Sequence, residues 1–432
     1  MKKYLTLALM LLPSLALAED KLDTGDTAWM MMSAALVLLM TPAGLALFYG
    51  GMTRSKNLLN TYAMVFGAFV VAFVAWIVAG YSMAFGDGGS LQSFMGGFSN
   101  MFLNGIKWND LSGTYPTYVF VVFQGTFAAI TVAIASGSII ERMKFSTWLV
   151  FVFIWTIAVY GPITHMVWGG DGALLFDAGA LDFAGGTVVH MNGGLAGLVL
   201  AVLIGKRKGY PKTAMKPMSV MLTALGGALL WFGWFGFNGG SAFGANAVAG
   251  LAYLTTTLAP AAAAITWMLL EYITFKKVTL LGAVSGVVAG LVAITPAAGF
   301  VDVSGALIVG VVGSAIGFYG VAILKKKLGY DDSLDAFGIH FLAGLWGALA
   351  TGFLAINDQD LLWDGPLKAT GDRIGQVMVQ AESIIVVGLV TLVGTIVVYY
   401  IASALTGGAR VDEETESMGL DEAVHGEKAL NI

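Results

Sequence analysis

Cysteine is absent from all 432 residues, which excludes disulfides, thiolate metal sites and thiol nucleophiles. Charge is scarce too. Asp, Glu, Lys and Arg make up 11% of the chain and hydrophobic residues 57%, whereas soluble domains carry about 25% charged residues. Such a composition belongs in a bilayer, and the net charge of −5 adds little to that. Histidine is the third scarcity. Of the four present, His190 and His340 stand in matching phrases, HMNGGL and HFLAGL, each on a long apolar stretch. Ionisable groups inside membrane segments are costly and read as functional by default, so each ring is the natural partner of the other and the pair points to a pore.

Residues 1–18 read as a cleaved signal peptide: Lys2 and Lys3 precede the apolar run Tyr4 to Leu12, and Ala16-Leu17-Ala18 is a small-x-small cleavage site. The run is too short to span a bilayer, and Pro13 interrupts it. Residues 19–409 then predict an all-α integral membrane domain of eleven transmembrane helices, from apolar runs of about 20 residues. The spans begin near Ala28, Tyr62, Thr117, Thr147, Thr187, Ser219, Ala247, Thr279, Val303, Phe337 and Glu382. With the N-terminus out, the inner segments hold the basic clusters around Arg54, Arg142, Lys206 to Lys216, Lys276 and Lys325, plus Arg410 and Lys428. The outer segments hold only Lys21, Lys107, Lys368 and Arg373. The positive-inside rule therefore predicts N-terminus out and C-terminus in, with residues 410–432 as a cytoplasmic tail.

In this topology His190 lies on the fifth span and His340 on the tenth. Five spans between copies put the same phrase into the membrane in opposite directions, as in an inverted 5+5 repeat whose site lies near the midplane; an eleventh helix stands outside the repeat. Glycines such as Gly282, Gly286 and Gly290, four residues apart, are expected to let helices approach closely.

Three groups of residues could carry chemistry. Two neutral imidazoles, His190 and His340, can share one hydrogen bond, one ring donating and the other accepting, and a dry site favours the neutral form. The aromatic groups Phe123-Gln-Gly-Thr-Phe127, Trp168 and Trp234-Phe-Gly-Phe237, with Ser241 adding a hydroxyl, could gather a small cation at an outer mouth. Taken singly, each of these rings also reads as packing or as part of an interfacial belt. Asp182, eight residues before His190, is expected to cap that helix and suit its dipole rather than bind a ligand.

The phrases FYGGMTRSKN, FQGTF, THMVWGGDG, LDFAGGTVVH, GWFGFNGGSAF, TPAAGFV and DAFGIH are similar to motifs of the Amt/Mep/Rh ammonium transporters, bacterial Amt proteins above all. The resemblance covers nearly the whole chain, in order. It implies a homotrimer of eleven-helix protomers in the bacterial inner (plasma) membrane, serving nitrogen uptake, each protomer with its own pore and no cofactor or nucleic acid. It further implies that Phe123, Trp168 and Ser241 recruit ammonium, that Phe127 and Phe237 form a stacked gate, that His190 and His340 line the pore, and that Asp182 supports it. The tail GLDEAVHGEKAL resembles a regulatory C-terminus that works with a PII signalling protein; read from composition alone, it is an acidic, disordered segment.

Two rivals remain at this point. A membrane metalloenzyme could use His190, His340 and Asp182 as ligands, although no HExxH is present and zinc sites need three or four well-placed donors. An ammonium sensor would carry an appended output domain, for which the residues after Arg410 are too few.

Overall fold

The computed structural model describes residues 21–356 and 371–429; the expected signal peptide, 1–18, lies outside them, as does Lys368. Among the described residues, ten helices are long and apolar enough to cross a membrane. In chain order with one shorter apolar helix they are α1 (Thr24–Met52), α2 (Ser55–Phe85), α3 (Thr117–Ser136), α4 (Phe145–Trp168), α5 (Gly186–Ile204), α6 (Val220–Gly240), α7 (Ala247–Phe275), α8 (Leu280–Ile294), α9 (Val303–Leu328), α10 (Phe337–Leu354) and α11 (Arg373–Leu405). The one strand pairing among described elements is a two-residue hairpin, Leu111–Ser112 with Tyr115–Pro116, in the long connection before α3.

Helix α8 is shorter than the run of about 20 residues expected from Thr279. It stops at Ile294 because Pro296 cannot donate the next helical hydrogen bond. The freed Pro296 carbonyl instead accepts from the Phe183 N–H at 3.1 Å, which ties the buried turn 295–301 to the entry of α5.

Apolar residues face outward in helical register. Phe66, Val70 and Val74 on α2, and Ile385, Leu389, Val393 and Val397 on α11, are all exposed four residues apart. In water such stripes would be unpartnered; in a bilayer they meet lipid. Between helices the contacts are made by small residues. A Cβ on Gly286 would fall 2.7 Å from the Trp267 Cβ, and one on Gly290 would fall 2.5 Å from the Ala263 Cβ, so these glycines set the α7–α8 approach. Gly282, at the same spacing, sits against the Glu271 carboxylate instead.

Helices α5 and α10 enter the bundle from opposite faces. The start of α5 lies beside Trp168, whose indole N–H donates to the Asp182 carbonyl at 2.8 Å. Ahead of α10, the Leu334 N–H donates to the Gly137 carbonyl at 2.9 Å, just past the end of α3 and at the opposite end of α4.

Candidate functional site

The entry to α5 is built around one carboxylate. Gly185 adopts φ +111°, a left-handed conformation that would strain any side chain, and its turn folds the chain back over Asp182. Asp182 Oδ1 accepts from the N–H groups of Gly185 (2.8 Å) and Gly186 (2.6 Å); Oδ2 accepts from Thr187 N–H (2.8 Å), Val188 N–H (3.1 Å) and the Thr187 hydroxyl (2.6 Å). The four N–H groups are donors that a helix start leaves without partners, and the Thr187 hydroxyl adds a fifth bond. The first turn they begin, Gly186–Met191, is π-helical, and His190 sits on it.

α10 repeats the plan. Buried Asp332 accepts from the N–H groups of Ala336 (3.2 Å) and Phe337 (2.8 Å), and the π-helical turn that follows, Phe337–Leu342, carries His340. Asp332 was missed by the sequence reading, although its signal was present: each aspartate stands eight residues ahead of its histidine. π-turns are rare and concentrate at functional sites. Among the described residues π-turns also occur at Met40–Leu45, Trp76–Gly80, Thr156–Tyr160 and Gly320–Leu324; of the two remaining, one carries His190 and the other His340.

The rings from α3, α4, α5, α6 and α10 form one continuous line. Phe127 meets Trp168 edge-on at 6.3 Å and Phe123 at 4.8 Å between centroids. Phe127 and Phe237 stack at 4.1 Å with 19° between planes. Phe237 then lies 5.7 Å from the His190 ring, and His190 lies 5.4 Å from His340. Trp234 stacks on His190 at 5.2 Å and is fixed by its N–H to the Thr295 hydroxyl at 2.9 Å. The sequence reading had grouped Trp234 with the outer aromatics, so its place beside the histidines is a correction.

Hydrogen-bond capacity along the line is specific. The Ser241 hydroxyl donates to the Phe237 carbonyl at 2.8 Å, which leaves the oxygen free to accept. His190 and His340 approach through Nδ1 and Nδ1 at 3.3 Å, so one ring donates there and the other accepts. The donating ring then presents a lone pair at Nε2, and the accepting ring presents an N–H. The pair therefore offers one acceptor and one donor, rather than a row of acceptors. His190 Nε2 is buried without a protein partner. Asp182 is not assembled with the histidines into a metal set: its lone pairs hold α5, and no group of three or more His, Cys, Asp or Glu side chains placed to hold a metal occurs among the described residues.

The opposite face is a network of ion pairs. Glu141 accepts from Arg54 Nε at 2.8 Å and pairs with Arg207 at 3.3 Å; Arg207 also pairs with Asp331 at 2.8 Å, one residue before Asp332. Beside it a cavity of about 340 Å³ is lined by Tyr210, Lys325, Ser333 and Asp335. Burial alone would raise the Glu141 and Asp331 carboxyls, but hydrogen bonds and charge, from Arg54 and Arg207 at Glu141 and from Arg207 and Arg142 at Asp331, outweigh it and hold both below their usual values. Their stabilising contribution is present above the unfolded-state values, about 4, and is lost as pH falls through the lower folded values. The melting temperature of the purified protein should therefore fall on acidification below about pH 4.5, and Glu141→Gln should flatten that fall while lowering the melting temperature at neutral pH.

The tail is docked on the same face rather than disordered. Glu416 accepts from Arg410 at 2.7 Å and from the Lys208 N–H at 2.6 Å, while Lys56 donates to the Ser417 carbonyl at 2.6 Å. Asp421 accepts from the Asn60 N–H at 2.8 Å. Glu416→Ala should release this segment, seen as new proteolytic cleavage between residues 411 and 429 with the helical bundle intact.

The sequence model of the Ammonium Transporter Family matches residues 28–430. Ammonium transporters from Aquifex aeolicus and Bacillus subtilis are each 47% identical to this chain, over 96% and 94% of it and over 95% and 99% of their own lengths. Among solved structures, Saccharomyces cerevisiae Mep2 superposes with a TM-score of 0.81 at 34% identity, covering 91% of both chains. A protein described as a sensor Amt protein superposes with 0.84 at 28% identity, covering 93% of this chain and 98% of its own. The sequence match and the fold agree: this chain belongs to the ammonium transporter family, whose members are multi-pass membrane transporters and not enzymes.

Proposed function

We propose that the chain takes up ammonium through a pore defined by the line from Trp168 to His340. Ammonium is gathered at Trp168, Phe123 and Ser241: aromatic faces attract a cation by about 0.5–2 kcal/mol, and the Ser241 oxygen accepts one of its N–H groups. No carboxylate is needed there, and a fixed charge would hold a monovalent cation too tightly for passage. The stacked Phe127–Phe237 pair closes the way to an intact ion, because a cation would have to shed its water against two apolar rings.

Ammonium has an option that potassium lacks, since it can leave its proton outside. Ammonia carries three N–H donors and one lone pair, so the acceptor and donor ends of the His190–His340 pair each find a complement in it. The same pair can relay a proton. A proton taken up at one Nε2 is balanced by transfer across the shared Nδ1 contact and release from the far Nε2. An ammonium pulse on liposomes holding only this protein separates the two modes: current shows that the proton follows, and flux without current shows that it does not.

The observation that carries this reading is the unbroken ring line ending in two Nδ1-bonded histidines. Eleven spans with N-terminus out and C-terminus in, an inverted 5+5 repeat, a cleaved signal peptide, a homotrimer in the bacterial inner membrane and a docked tail that answers to a PII protein complete the proposal. Support comes from the basic network at Arg54, Arg207 and Arg410 on one face, from the opposite entry of α5 and α10, and from the family. Methylammonium uptake should be restored when the chain is expressed in a transporter-deficient host; correctly inserted protein that restores none would overturn the proposal.

A further inference from the structure

We propose that residues 98–108 of the long outer connection seat three aromatic rings in the outer leaflet of the bilayer, which makes this loop a lipid contact rather than a water-facing turn. Phe98, Phe102 and Trp108 are 64%, 68% and 78% exposed. Lys107 is the only charged residue from Gly88 to Asn109. A loop built for water would be dressed in charge, whereas an apolar, nearly uncharged surface marks a place where a partner sits.

Depth identifies that partner. The chain leaves α2 at Phe85, turns, and runs back down the same helix. The Gly96 N–H donates to the Met83 carbonyl at 2.7 Å, the Asn100 N–H donates to the Ser82 hydroxyl at 3.0 Å, and Met101–Leu103 packs against Trp76–Gly80. Helix α2 has 31 residues, about 46 Å at a rise of 1.5 Å each, so it overshoots a hydrocarbon core about 30 Å thick. Counted from Leu58, just past the basic Arg54 and Lys56, about 20 residues of hydrocarbon end near Ile77. That is the level of Met101–Leu103. Helix α3 gives the same level independently, because its second residue, Tyr118, donates through its hydroxyl to the Ile106 carbonyl at 3.3 Å. Tyr118 and Val122 on α3, like Phe66, Val70 and Val74 on α2, are exposed four residues apart, so the aromatic loop lies at the outer end of two stripes that face lipid.

The segment is shaped for that boundary. Leu103 and Ile106 pack inward on the core, while Phe98, Phe102 and Trp108 remain outside it. The backbone is left-handed at Phe102 (φ +54°) and Leu103 (φ +59°), a conformation that residues with a Cβ avoid and that persists only where the surroundings hold it. Backbone N–H groups beside lipid need partners within the protein, and those of Gly96, Asn100, Met101, Leu103, Asn104 and Ile106 have them. Trp108 and Lys107, each with an apolar body and a polar end, suit the headgroup level. The same connection straps the turn after Trp168: the Gln92 side chain donates to the Asp171 carbonyl at 3.1 Å, and the Leu174 N–H donates to the Ser93 carbonyl at 3.0 Å. A loop seated in the bilayer therefore steadies that turn.

The chain has no cysteine, so one introduced cysteine takes one nitroxide. In phosphatidylcholine nanodiscs, oxygen, which concentrates in hydrocarbon, should relax the label at Phe102→Cys at least about twice as strongly as a water-soluble nickel chelate does. Labels at Val70→Cys on α2 and at Ser90→Cys, above the boundary, set the lipid and water limits. A Phe102→Cys label reached mainly by the chelate, or shielded from both probes as under a second copy of the chain, overturns the proposal. Changing Phe98, Phe102 and Trp108 together to serine should shorten the correlation time of a label at Asp171→Cys by about twofold or more, since an unanchored loop moves freely on that timescale; an unchanged correlation time overturns the steadying role. Should the triple variant fail to fold, the single labels in the otherwise unaltered chain still decide where the loop sits.

Discussion

Replacing both His190 and His340 with alanine should give a folded protein that passes potassium. In the proposed pore the two rings fill the segment below Phe237 and leave only one donor and one acceptor facing the path. Without them, Trp234 and Phe237 border a space large enough for several waters at about 30 Å³ each. A hydrated path lowers the cost of carrying an intact cation, and each 1.4 kcal/mol or so removed from the barrier is about tenfold in rate. Potassium flux should therefore rise at least tenfold above the wild-type background, while ammonium transport loses its selectivity. The fold depends little on the pair, because α5 and α10 are held by Asp182 and Asp332 at their entries, and the melting temperature should fall by only a few degrees. A double variant that assembles, excludes potassium and conducts ammonium as before would remove the histidines from the selectivity mechanism.

Asp182→Ala should be far more damaging to assembly than that double change. It strips the acceptor from four backbone N–H groups and one hydroxyl in a buried turn. Each unsatisfied buried donor costs about 1–3 kcal/mol, and partial relaxation still leaves a total above about 3 kcal/mol, a large share of a typical protein's stability. Expression in the membrane should drop sharply. Asp182→Asn keeps one carbonyl oxygen for Gly185 and Gly186 but turns N–H groups toward Thr187 and Val188, so its melting temperature should lie between the two. Wild-type yield and melting temperature in Asp182→Ala would show that the carboxylate does not hold the turn, and would return it to the list of ion-binding candidates.

The sequence made some of this legible and hid the rest for physical reasons. The starts of α3, α7, α9 and α10 match the expected positions Thr117, Ala247, Val303 and Phe337, because the hydropathy there changes abruptly at the helix end. Helix α2 begins at Ser55 and α11 at Arg373, each several residues ahead of expectation. Their first turns are polar, and hydrogen bonds hold them: Asp372 caps Gly375 at 2.6 Å at the start of α11, and at the start of α2 the Asn57 side chain accepts from the Leu420 N–H of the distant tail at 2.8 Å. Hydropathy cannot see such bonds. The two histidines stood out by their phrase and the aromatic clusters by their motifs. The π-turns that present the histidines, Trp234 stacking on His190 and the docking of an acidic tail on Lys56, Asn60 and Lys208, far away in sequence, depend on contacts that no local pattern records.

The central claim is that the Phe127–Phe237 pair and the histidines together pass ammonia while stopping potassium, and purified wild-type protein in liposomes tests it most directly. Uptake of nitrogen-15 ammonium and of rubidium, as a potassium tracer, should be followed side by side at equal concentrations. Ammonium uptake well above protein-free liposomes, with rubidium indistinguishable from them, is the predicted result. Rubidium entry at a rate comparable to ammonium would contradict it.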